Sequence, residues 1–167
     1  MRHFSSFIFS KMRIELPHSQ RPKTKHLKPK IMNWKLIFLL SLFGLAMGLA
    51  TVSLIPSTIE PFFWLVIFII SSYSIAKYAS GKYFLHGFCV SLVNSVWITA
   101  AHFTMFYTYI ASHPEYLLAT NGLPPDLAGH PRRMMLPIGV ISGIMFGAIL
   151  GLFVWITSKI LKRSAAT

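Results

Sequence analysis

Polar side chains are scarce in the apolar parts of this sequence, and the most polar of those runs carries several on one line. At 100° per residue Ser91, Ser95, His102, Tyr109 and His113 project within about 40° of one another on a helix. Thr99 and Phe106 flank that stripe, and Asn94 stands on its other shoulder. Hydroxyls, a carboxamide and an imidazole on one face could bind a small polar solute or an ion. An imidazole there could also relay a proton or ligate a metal, because histidine is the side chain that changes charge near neutrality. The plainer reading of His102 is a neutral ring hydrogen-bonded to a hydroxyl across a helix bundle. For a lone histidine with no carboxylate in the same apolar run, that reading is the stronger one.

A second group lies in the polar stretch that follows: His113, Glu115, Asp126 and His130. These side-chain types bind zinc or copper, but their spacing matches no ligand motif, and Pro114, Pro124, Pro125 and Pro131 separate them. No metal or other cofactor is therefore expected. Arg132 and Arg133 end the stretch, placed either to reach phosphate headgroups or to attract an anionic solute. The chain has no H-E-x-x-H, P-loop or G-x-S-x-G pattern. Its acids, Glu15, Glu60, Glu115 and Asp126, lie outside the apolar runs or at their ends, which excludes a paired-carboxylate site within them. Cys89, the single cysteine, reads as a small buried hydrophobe and permits no internal disulfide. An enzyme is the least supported class.

The elements that must position these residues follow from hydropathy. Apolar residues make up 54% of the chain and charged ones 12%, about half the charged share of a soluble globule, so long uncharged runs need a bilayer to cover them. Four spans are expected, over about 34–55, 62–79, 83–112 and 134–156, giving an all-α, four-transmembrane-helix bundle. Pro56–Pro61 makes a short turn with Ser57 and Glu60 at capping-box spacing. The third span should run unbroken to His113-Pro114, and the segment 113–133 should form the only sizeable loop. Residues 1–33 are basic and interrupted by Pro17, Pro22 and Pro29, as in a disordered cytoplasmic tail held near anionic headgroups. A transit peptide, or translation from Met32, are the alternatives for that tail. Counted from Met32, the first span also resembles a signal peptide with Gly48-Leu49-Ala50 as the cleavage site, but Val52, Leu54 and Ile55 continue the apolar run beyond it.

The net charge of +12 is distributed as topology signals are, not as a stripe for nucleic acid. With both termini inside, fourteen of the sixteen Lys and Arg residues lie on the inner side and only Arg132 and Arg133 outside. The layout is that of many small multi-pass proteins of the bacterial inner membrane. Two glycine series add a packing signal: Gly44 and Gly48 in the first span, and Gly139, Gly143, Gly147 and Gly151 in the fourth. Such stripes let helices approach closely in lipid, either within the chain, fourth span on first, or in a homo-oligomer or larger membrane complex. A structural or assembly protein is thus the leading expectation, and a carrier of a small solute or ion using the third span is the alternative. A cysteine placed at Asn121 should label only from the outer face in reporter experiments; labelling from the cytoplasmic side alone would overturn the topology.

Overall fold

The computed structural model describes residues 31–120, 122 and 124–164, so most of the tail expected over 1–33 lies outside the described residues. Among these residues every regular element is a helix: α1 Trp34–Ala50, α2 Glu60–Tyr78, α3 Tyr83–Thr104, α4 Phe106–Ser112, α5 Pro114–Thr120, α6 Pro125–Ala128 and α7 Pro131–Ser164. Three of them, α2, α3 and α7, are long and apolar enough to cross a membrane, which marks the chain as a membrane protein. α1 is apolar but shorter, at 17 residues. Its start is capped by Asn33, whose side-chain oxygen accepts from the Leu36 N–H at 3.1 Å. α7, at 34 residues and ~51 Å, exceeds a hydrocarbon core of ~30 Å and must tilt or protrude. Pro137 sits inside α7, in its second turn, so the helix forgoes the hydrogen bond to the Arg133 carbonyl there.

Several boundaries differ from expectation for local reasons. α1 ends at Ala50, and Thr51–Ile55 continue as turns; the Thr51 hydroxyl donates to Met47 O at 2.8 Å, a back-bond that competes with helix propagation. The third run is interrupted at Met105 (φ −100°, ψ 33°), where Thr104 Oγ donates to both Ala100 O (2.7 Å) and Ala101 O (3.0 Å). It is therefore two helices, α3 and α4. The capping box at Ser57 and Glu60 does not form: α2 has no side-chain cap, Ser57 Oγ donates to Glu115 at 2.8 Å, and Glu60 accepts from Trp64 Nε1 at 2.9 Å. The segment 113–133 is no open loop, because α5, α6 and the first turn of α7 each begin at a proline, whose fixed φ suits a helical start.

α3 is the central element, with α1 on one side and α7 on the other. Both glycine series face it. A Cβ on Gly44 would lie 2.5 Å from Asn94 Cα, and one on Gly48 would lie 2.9 Å from Ile98 Cα. On the other side Gly139 meets the Thr99 hydroxyl, Gly143 the Ser95 hydroxyl, Gly147 the Phe88 ring and Gly151 the Phe84 ring. The fourth-run stripe thus packs on the third run, not on the first as expected. Gly87 answers from α3, where an added Cβ would come within 2.9 Å of Leu150 O and 3.0 Å of Gly151 Cα. These registers make α1 parallel to α3 and α7 antiparallel to it. α2 leans on α7 and touches α3 little. The apolar core of Ile37, Leu40, Phe68, Ile75, Ala79, Val90, Leu150 and Val154 fills the half of the bundle nearer the basic ends.

Gly44→Ala should destabilise by about 1–3 kcal/mol, because the new methyl meets backbone that cannot yield. Ile141→Ala, at a side chain 58% exposed, should change detergent melting far less. Equal effects would refute the close α1–α3 seam.

Candidate functional site

Because α2 leans away from α3, a gap remains between α2, α3 and α7 in the half opposite the core. It forms a cavity of about 240 Å³. Ser91, Asn94, Ser95, Thr99 and His102 line it from α3, Glu60, Trp64 and Phe68 from α2, and Ser142 from α7, with Tyr109 and Tyr116 beside them. All six residues of the candidate polar stripe, Ser91, Asn94, Ser95, Thr99, His102 and Tyr109, are thereby brought to one space. Phe68 and Phe146 stand edge to face at 6.3 Å among the lining residues.

Asn94 is the group whose chemistry is least accounted for. It is 3% exposed, lines the cavity, and neither atom of its carboxamide has a hydrogen-bond partner in the chain. Leaving a buried amide unpaired costs on the order of 1–3 kcal/mol, a penalty that a solute or a trapped water would remove. Its neighbours are better served: Ser95 Oγ donates to Leu92 O at 2.8 Å.

His102 bonds Thr51 Oγ through Nε2 at 2.8 Å. The Thr51 hydroxyl also lies 2.8 Å from Met47 O, so it stands between the ring and the end of α1. This is the inter-helix hydroxyl contact of the plainer reading, yet the same ring also lines the cavity. It stacks on Tyr109 with centroids 4.1 Å apart, and Tyr109 stacks on His113 at 4.6 Å. The three rings bridge the break at Met105. His113 is 3% exposed; its Nδ1 lies 3.2 Å from Tyr109 O and its Nε2 has no partner. Tyr116 packs edge-on against Tyr109 at 5.8 Å and donates its hydroxyl to Pro131 O at 2.9 Å. Burial raises the Tyr116 phenol above its ordinary range, so it stays a donor.

The candidate residues of the 113–133 segment do not converge. His113 is buried in the ring stack, Glu115 is bound to Ser57, and Asp126 and His130 are exposed. Among the described residues no three His, Cys, Asp or Glu side chains gather as a metal site would need. Arg132 Nε donates to Phe103 O at 2.8 Å and its guanidinium lies 4.5 Å from the Phe103 ring centre, tying α7 to the last turn of α3. Arg133 remains exposed.

Sequence reasoning missed Glu60, Trp64, Tyr116 and Ser142, since nothing in hydropathy says which faces of neighbouring helices meet. It also passed over His86. That fully buried ring accepts the Asn33 N–H at Nε2 (2.9 Å) and approaches Lys82 O through Nδ1 (3.0 Å), pinning the starts of α1 and α3 together. Comparison with family models, curated proteins and solved structures finds no match for this chain.

The Glu115 carboxyl is held below its ordinary range by its own backbone N–H and by the Ser57 hydroxyl. A lowered folded-state pKa means that the link stabilises fully above the ordinary carboxylate pKa and fades as pH falls through the lowered value. Acidification past that point should reduce the amide-exchange protection factors of α5, and Glu115→Gln should show the same reduction at neutral pH. Protection unchanged in both cases would show that this pair does not hold α5.

Proposed function

We propose that the chain is a four-span membrane protein that binds a small polar solute in the α2–α3–α7 cavity and carries it across the bilayer. In this reading α1, prolonged by the apolar turns Thr51–Ile55, is the remaining span, and the basic ends of the bundle lie on the cytoplasmic side of a bacterial inner membrane. The observation that carries the proposal is the cavity itself. A stripe of hydrogen-bonding side chains on one helix borders a space between three helices, and includes an amide with no partner. Polar groups at membrane depth are expensive, so a stripe kept there is a site by default. The cavity lies in the outer half, above a closed apolar core, which is the arrangement of a carrier loaded from outside.

The assembly reading has less support. Its main evidence was the pair of glycine stripes, and both are occupied by α3 within one chain. What remains to it is the apolar surface of α2 and α7, which lipid covers equally well.

Water access separates the two. In a Cys89→Ser background, Ser142→Cys should react with a small, charged, membrane-impermeant thiosulfonate added from outside. Ile144→Cys, exposed on the same helix, should not. If both cysteines stay unreactive while the protein is folded, the cavity is dry and the carrier reading fails.

A further inference from the structure

We infer that the cavity's ligand is a small organic cation, its charged nitrogen held by Glu60 among aromatic rings and its far end hydrogen-bonded by Asn94; this rests on the solute-binding reading above. Charge gives the sign. Among the described residues lining the cavity, Glu60 is the single formally charged side chain, and no lysine or arginine joins it. Arg132, at the same end of the bundle, makes its contacts with Phe103. One carboxylate oxygen of Glu60 accepts from Trp64 Nε1 at 2.9 Å, which orients the group and leaves the other oxygen for a ligand. An anion would meet that carboxylate with nothing to offset the repulsion. A neutral solute would gain nothing from that charge.

The walls add to this. Trp64, Phe68, Tyr116 and Phe146 surround the space, and the negative faces of such rings attract cations at close range. Tyr109 differs, because His102 and His113 cover its two faces, so it can offer the ligand only its edge and hydroxyl. Asn94 lies deeper, where its unpartnered amide can both donate to and accept from a hydroxyl or carbonyl. The volume of about 240 Å³ admits a small amine or quaternary ammonium with a short polar arm, and excludes large amphiphiles.

The test is equilibrium dialysis on the purified full chain in lipid nanodiscs. The probes are radiolabelled choline and ethanolamine, set against the neutral isostere of choline in which carbon replaces nitrogen. At least one cation should bind, and the neutral isostere should bind at least tenfold more weakly than choline or not at all. Glu60→Gln should weaken cation binding at least tenfold and leave isostere binding within twofold, whereas Glu60→Asp should retain the preference for charge. Asn94→Leu should abolish binding of every probe. Equal binding of choline and its isostere, or cation binding unaffected in a folded Glu60→Gln protein, would overturn the cationic ligand while leaving a solute cavity in place. Failure of all three probes to bind the wild-type protein would overturn both readings. Should Glu60→Gln not fold, the choline and isostere comparison on the wild type decides alone.

Discussion

The close approach of α3 to its two neighbours is the constraint on which the other features depend. Lipid tails are as apolar as leucine, so no hydrophobic force drives helices together within a bilayer, and packing must come from dispersion over intimate contact. Glycines make that possible on both flanks of α3, toward α1 at Gly44 and Gly48 and toward α7 along Gly139–Gly151. Once α3 is seated this way its depth and rotation are fixed. Between the two seams Ser91 and His102 border the space beside α2, and Asn94 reaches its edge from the seam with Gly44. α2 finds its contacts on α7 instead, through Phe68 against Phe146 and Phe153, and the polar face is left beside a space.

The end opposite the apolar core is organised differently, by hydrogen bonds and ring stacking between short pieces of chain. Ser57 reaches Glu115, Tyr116 reaches Pro131 O, and Arg132 reaches Phe103 O, so three connecting segments are tied to one another and to the ends of α3 and α7. Glycine contacts hold the interior, and polar contacts hold the cover. The two halves of the bundle therefore respond to different perturbations, the first to volume and the second to charge.

Much of this was legible in the sequence, and the failures have physical causes. Uncharged apolar runs announce helices under lipid, and a period of 100° per residue puts the polar residues of the third run on one side; both depend only on neighbours along the chain. The partner of the Gly139–Gly151 stripe was not legible, since a smooth helix face fits any other smooth face, and the answering Gly87 is a lone glycine in its helix. Glu60 counted as an end-of-span acid, and only the lean of α2 brings it to the cavity wall. The break at Met105 hid because Thr104 is compatible with a helix interior, and it is its two-carbonyl back-bond that goes with the irregular turn. Proline marked the outer segment as irregular, whereas three of its prolines begin helices.

The break and the ring stack belong to one mechanical unit. His102 lies before Met105, Tyr109 and His113 after it, so α4 meets α3 at a joint whose two leaves are pressed together by aromatic faces. Tyr109 is at once the middle plate of that stack and part of the cavity's lining. Any tilt of α4 about Met105 would shear the plates and displace the Tyr109 part of the lining together. Ring overlap resists that tilt, while the glycine contacts of α3 lie outside the joint.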